Sequence, residues 1–396
     1  MNSSTFSSKL HRRFVLGVLL LAFIPGAVLF CLGIYLQPLD GDLTRVGAYA
    51  ERDFGWNAPQ AVFKQAQYTS DEYTKGYDIV VLGDSFATAM PHHQWQNQVA
   101  VETGLSIVTL NSYTTSAEQI LNNSVFTQAA PRFFVLTYAE RHFPQRIGEQ
   151  SACNASAPNF TASANGGVPE IPSAVSIPTI SDPKVLNRQQ HWGDWRDVKL
   201  AHAARHVLYG LVRAVFDREP SKALRVDLTR SDLFSNAQPS ATLVFRDDVK
   251  KAARWKEEGL DELSCRIESL RQRVEANGIT RFVLMVPPDK LTAYSSWANH
   301  PSYRSLSMLA ELSRRHPLVM PRLDLALAAV IDAGHKDVYL PNNTHWGATG
   351  HLVAAQALTE FMTRLIQPRT ALHHPRVDKG GGLPSTGQKG SQEVAG

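Results

Sequence analysis

The sequence is poor in the residues that would declare a metalloprotein or a nucleic-acid binder. It carries three cysteines among 396 residues, and no CxxC or HExxH spacing that would assemble a tetrahedral metal set, so nothing in it calls for a metal. No motif calls for an organic cofactor either. Basic runs with interleaved aromatics are missing. The 40 Lys and Arg are dispersed among 36 Asp and Glu for a net charge of +4, which leaves nucleic-acid binding without support. No internal repeat is legible, which argues against a solenoid. What is present is an ordinary globular composition, 43% hydrophobic and 19% charged, enough for one large domain or two small ones.

The first feature to stand out is an uncharged stretch over 14–36, preceded by Lys9, His11, Arg12 and Arg13. It is long enough to cross a bilayer. Tyr35, Leu36, Gln37 and Pro38 follow where a cleaved signal peptide would end in small residues, so an uncleaved anchor is favoured over a signal sequence. Basic residues before the span and Asp40 and Asp42 after it place 1–13 in the cytoplasm and the remainder across a bacterial inner membrane, in the periplasm. Cys31 falls within the span. Cys153 and Cys265 are then the pair that an oxidising compartment could join; a bridge and two separate thiols both fit the spacing.

Beyond the anchor, the apolar run 78–83 ends in glycine and reads as a buried parallel strand, with similar runs at 106–110, 132–137 and 281–286. Helical stripes lie between several of them: Leu200, Ala204, Val207, Leu208, Leu211 and Val215, then Leu260, Leu263, Ile267, Leu270 and Val274, the latter stopped by Asn277-Gly278. A further helix starts near Gly347. The alternation predicts an α/β domain over 37–367. An irregular insertion at 151–184 and a disordered tail at 368–396 are predicted from their Ser, Pro, Gly and Asn content.

Two places can carry chemistry. Gly83-Asp84-Ser85-Phe86 follows the first strand, where a turn at the carboxyl edge of a parallel sheet would present the serine hydroxyl. By itself the tripeptide fits a helix-capping turn equally well. A serine needs a base, and Asn342-Asn343-Thr344-His345-Trp346-Gly347, on a loop entering a helix, offers His345.

Together with Leu136-Thr137-Tyr138-Ala139-Glu140-Arg141 and Val286-Pro287-Pro288-Asp289-Lys290 with Tyr294, these blocks make the sequence resemble the SGNH hydrolase superfamily, and within it the alginate O-acetyltransferase group of AlgJ and AlgX and the related DHHW proteins. The likeness runs from residue 78 to about 361. It implies a three-layer α/β/α, flavodoxin-like fold with a mostly parallel sheet, a Ser-His-Asp machinery, and transfer or hydrolysis of acetyl esters on an exopolysaccharide or other cell-envelope polysaccharide. Ser85 precedes the histidine block, the usual SGNH order, whereas in AlgJ and AlgX the Asp-x-His motif comes first.

The resemblance casts Ser85 as nucleophile and His345 as base. Oxyanion and substrate contacts are expected from Asp84 and the Ser85 N–H, from Asn111 and Ser112 after the second strand, and from Tyr138, Arg141, Lys290 and Trp346. Arg141 fits a sugar contact and an ion pair equally, and Asp289 and Lys290 fit the site edge or a solvated turn. Asn343 stands where the family has Asp. In serine proteases that exchange lowers kcat by about 10⁴-fold. Three readings follow: a dyad oriented by Asn343, replacement of the acid by Asp337, or a site turned over to polysaccharide binding or assembly. The resemblance further implies a membrane-bound O-acyltransferase as acetyl source and favours a transferase. An esterase and a catalytically silent scaffold are the alternatives.

Overall fold

The computed structural model describes residues 8–153, 184–188 and 194–366. The predicted tail and nearly all of the predicted insertion lie outside these residues. Helix α1 (Ser8–Tyr35) coincides with the apolar stretch and is long and apolar enough to cross a membrane. Two short helices follow at once, α2 (Asp42–Gly47) and α3 (Glu51–Phe54).

The domain proper then alternates in the way the apolar runs predict: β1 (Gln60–Val62), β2 (Tyr68–Ser70), β3 (Ile79–Gly83), α4 (Ser85–Thr88), α5 (Trp95–Thr103), β4 (Ile107–Asn111), α6 (Ala117–Leu121), α7 (Ser124–Gln128), β5 (Phe133–Thr137) and α8 (Phe143–Gln150). After β6 (Lys184–Leu186) come α9 (Leu200–Phe216), β7 (Ala223–Asp227), β8 (Ala241–Phe245), α10 (Arg246–Glu258), α11 (Leu260–Glu275) and β9 (Arg281–Met285). The chain continues through α12 (Lys290–Ala293), α13 (Leu309–Arg315), α14 (Leu323–Asp332) and α15 (Ala348–Ile366).

Five strands form one sheet in the order β2-β4-β3-β5-β9, every pairing parallel. Successive side chains of a strand point to opposite faces, which splits the core in two. Ile79 and Val81 of β3 join Val135, Val283 and residues of α5, α14 and α15, including Val99, Leu327, Val353 and Leu358. Val80 and Leu82 join Leu136, Leu284 and residues of α6, α8 and α11, including Ile120, Phe143, Ile267 and Leu270. The result is a three-layer α/β/α arrangement, the one the SGNH resemblance implies. Each fully buried apolar side chain of this kind contributes about 1.5–3 kcal/mol. Cys153 and Cys265 are bridged, their Cα atoms 5.3 Å apart, tying the end of α8 to α11.

One stripe behaves differently from what its periodicity suggests. Helix α9 forms, but Leu200, Val207, Leu208, Leu211 and Val215 are all about half exposed or more, at 49, 52, 55, 58 and 62%. The side of α9 that meets the protein carries mostly polar groups beside buried Ala203: His202 is buried, His206 Nδ1 lies 2.8 Å from the Ala48 carbonyl, and Arg213 binds Glu219 and the Gly47 carbonyl.

Candidate active site

The serine turn is built from inside the sheet. β3 ends at Gly83, where any side chain would collide with Thr137 and Ala87, so glycine lets α4 close tightly over β3 and β5. Asp84 caps α4. Its Oδ1 accepts from the Phe86 N–H at 3.0 Å and its Oδ2 from the Ala139 N–H at 2.8 Å, fastening the turn to the loop after β5. The Ser112, Phe86, Ala139 and Glu140 amides near Ser85 already donate, to the Gly83 carbonyl, Asp84, Asp84 and the Pro287 carbonyl respectively. Ser85 itself is half-buried and faces a cleft lined by Asp42, Leu43 and Val46 of α2, Tyr113, Arg141, His142, Phe245, Thr344 and His345.

The histidine loop is built from outside the sheet. An isolated bridge between Tyr339 and Trp346 closes it, and the Leu340 N–H donates to the His345 carbonyl at 3.1 Å. Asn343 Oδ1 accepts from the His345 N–H at 3.1 Å, which fixes the amide's orientation, and lies 2.7 Å from His345 Nδ1. With a carbonyl oxygen as its partner, Nδ1 carries the ring proton. Nε2 is left deprotonated, buried and without a hydrogen-bond partner. Burial is the main influence on the ring and lowers its pKa to about 4, Arg141 and Lys290 pushing the same way and Asp42 opposing them. The imidazole is therefore neutral at pH 7, the form a general base requires.

Three groups hold this loop. Lys290 Nζ donates to the carbonyls of Leu243 and Leu340 at 2.7 Å each and of Pro341 at 3.2 Å; its burial depresses its pKa to about 7. Glu51, fully buried, accepts from Asn342 Nδ2, from Thr44 and from the Gly41 N–H. Asp42 takes both the Thr344 N–H, at 3.0 Å, and the Thr344 hydroxyl, at 2.7 Å. Two of the three therefore come from the segment that directly follows α1.

Residues 243–379 match the family model of the SGNH hydrolase-like domain, acetyltransferase AlgX. Over this segment the chain resembles AlgX. The match supports the AlgX/AlgJ-like reading of the domain and an acetyltransferase affinity. The AlgX-like segment contains Lys290, Asn343, His345 and Trp346, while Ser85 lies outside it. No curated protein and no solved structure gives a match.

Set against the AlgX-like expectations, the structure brings Ser85, His345 and Arg141 to one cleft, with Asn343 orienting the histidine. The Arg141 guanidinium is held from behind by Asp289 at 2.8 Å and Asp248 at 3.5 Å, and Asp289 in turn by Lys251 at 3.2 Å. Four residues expected to touch substrate are instead buried as supports. Asp84 caps the serine turn, Lys290 staples the histidine loop, Tyr138 lies wholly inside the core, and Trp346 packs against Phe86 at 4.8 Å and His351 at 5.4 Å. Asp289 is likewise a buried ion-pair partner and no solvated turn. The Ser112 amide is spent on Gly83, and Asn111 Oδ1 on the Tyr113 N–H at 3.0 Å.

Asp337 does not replace the missing acid. Its carboxylate binds the Ser235 N–H and hydroxyl. The carboxylate beside the histidine is Asp42, which the sequence suggested only as a charge flanking the span. Phe245 and His142 are further cleft residues that no local motif marks, and Thr344 stands in the histidine block without a role of its own in the sequence reading. The one signal that pointed to Asp42 was the deficit itself: a neutral Asn343 beside the base calls for an acid elsewhere.

Proposed function

We propose that the chain is a serine-dependent O-acetyltransferase of a cell-envelope polysaccharide, working at the cleft between Ser85 and His345. The observation that carries this reading is a neutral imidazole whose Nδ1 proton is held by Asn343, whose Nε2 has no partner, and which lines the same cleft as the serine. In the first step His345 Nε2 takes the Ser85 proton as Oγ attacks the acetyl carbonyl of the donor. The oxyanion is met by the Ser85 N–H, and collapse releases the donor alcohol with the proton from His345. In the second step His345 deprotonates a sugar hydroxyl, which takes the acetyl group and regenerates Ser85. Water in place of sugar makes the same chemistry an esterase. With α1 as an uncleaved anchor, the domain would stand on the periplasmic face of the inner membrane and draw acetyl from a membrane-bound O-acyltransferase.

Hydrolysis of p-nitrophenyl acetate by the full-length protein in detergent tests the reading, comparing wild type with Ser85→Ala and His345→Ala. Turnover lost in both variants is the expected result. Turnover equal in wild type and Ser85→Ala would remove the catalytic reading and favour a binding or scaffold role, for which Asn343 in place of Asp is the supporting observation.

A further inference from the structure

Helix α9 is amphipathic with its faces reversed relative to a core helix: polar groups dock on the protein and the apolar stripe points away from it. We infer that this stripe rests on the lipid bilayer, so that α9 is an interfacial helix lying beside the point where α1 emerges. Position argues for lipid as the occupant. Gly33 of α1 is so closely covered by Val198 and Ala203 that a side chain there would meet both, and Leu29 and Leu32 of α1, with Leu36 just after it, pack with Ala203. The first turn of α9 is thus fixed at the end of an apolar span whose most apolar stretch is uncovered.

Chemistry agrees. Leu200, Val207, Leu208, Leu211 and Val215 supply the apolar side, while exposed Lys199, Arg205 and Arg218 sit around it, the pattern of a helix that lies in a headgroup layer and favours anionic lipid. The docked polar side carries the next step of the argument. His206 and Arg213 reach the carbonyls of Ala48 and Gly47, at the carboxyl end of α2, and α2 brings Asp42 to the cleft. Lipid contact along α9 would therefore hold the active cleft at a set height above the bilayer. The inference rests on α1 being an anchor and is independent of the chemistry at Ser85.

Its test is site-directed spin labelling of the full-length protein, with Cys31→Ser, in vesicles of phosphatidylcholine and phosphatidylglycerol. Labels are placed by Leu208→Cys, Leu211→Cys and, as a solvent control, Glu102→Cys. The expected result is greater accessibility to oxygen than to a nickel chelate at 208 and 211, and the reverse at 102. Chelate accessibility at 208 and 211 equal to that at 102 would overturn the inference. So would labels at 208 and 211 shielded from both reagents, which would mean a protein partner covers the stripe.

A second inference comes from the histidine loop and deepens the proposed function, on which it rests. We infer that Asp42 supplies the negative charge that Asn343 lacks, acting on His345 through the hydroxyl and amide of Thr344 as a positioning residue. Thr344 Oγ1 donates to Asp42 and lies 3.4 Å from His345 Nδ1. The charged groups acting on the ring are Asp42 on α2, Arg141 after β5 and Lys290 on α12, and Asp42 alone among them favours the imidazolium that forms during transfer.

Asp42→Asn keeps the shape and removes the charge. The expected result is a fall in kcat of about tenfold, recovery when Asn343→Asp is added, and a lowered His345 pKa in histidine NMR titration, assigned with His345→Gln. A His345 pKa unmoved by Asp42→Asn, or a loss of activity that Asn343→Asp does not recover, would leave Asp42 a merely structural brace. A shifted pKa without Ser85-dependent turnover would instead defeat the proposed function and spare the electrostatic coupling.

Discussion

The serine turn and the histidine loop face each other across one cleft but are stabilised in opposite ways. The turn is local. Gly83, Asp84 and Ser85 are consecutive, and the groups that fasten them, Thr137 and Ala139, sit on the neighbouring parallel strand or just beyond it. The histidine loop is closed locally by the Tyr339–Trp346 bridge and by Asn343, but the charged side chains that hold it come from far away. Its partners Asp42 and Glu51 are 302 and 291 residues away in sequence, and Lys290 reaches it from the start of α12. A nucleophile can therefore be set by strand, glycine and cap alone, whereas the setting of the base depends on chain segments meeting only after the domain has folded. In this protein that dependence runs to the residues directly following the membrane-length helix.

If the contrast holds, breaking each side gives a different phenotype. The largest effect is expected at the turn. Asp84→Ala leaves the Phe86 and Ala139 amides buried and unpaired, at about 1–3 kcal/mol each, so both thermal stability and activity should fall together, measured by thermal shift and esterolysis in detergent. Lys290→Met is expected next, with three carbonyls losing their shared donor and a stability loss of about 2–4 kcal/mol. Glu51→Gln keeps the size of the side chain but weakens the charge-assisted bond to Asn342. One of its two acceptor oxygens becomes an NH2 facing the Asn342 amide or the Thr44 and Gly41 donors, so it should lower the melting temperature and, by relaxing the aim of His345, kcat by about tenfold, with KM nearly unchanged.

The smallest and sharpest prediction is in pH. Burial lowers the His345 pKa from its usual 6.5 to about 4, and the neutral ring is the active form. The acid limb of kcat/KM should therefore lie well below pH 6.5, activity persisting as pH falls until it reaches the folded-state pKa. A limb near 6.5 would mean a solvated, loosely held base. The sign for stability follows the same way: the unfolded ring takes a proton first on acidification, so this group favours folding above about pH 6.5 and ceases to do so as pH drops towards 4.

The parallel sheet was legible because each of its four long strands is a short, doubly buried apolar run ending at or near a turn, and Ser85 was legible because it closes one of them. His345 and Asn343 were legible as a motif. What surrounds them was not, because Asp42 and Glu51 look in sequence like ordinary solvated charges after a span, and only tertiary contact makes them part of the cleft. The same limitation explains Lys290, Asp84 and Trp346: residue type and motif brought them to the site's neighbourhood, but burial decided that they support it from behind. Helix α9 taught the complementary lesson. A 3.6-residue apolar period reports that one face avoids water, without saying whether protein or lipid covers it.

The central claim is that Ser85 takes up an acetyl group by virtue of His345. It is tested most directly by incubating the full-length protein with p-nitrophenyl acetate, quenching in acid and locating the acetyl group by peptide mass spectrometry, in wild type and in His345→Ala. The account predicts one acetylated residue, Ser85, present in wild type and lost in the variant. Acetylation of another residue, or equal labelling of Ser85 without His345, would contradict it.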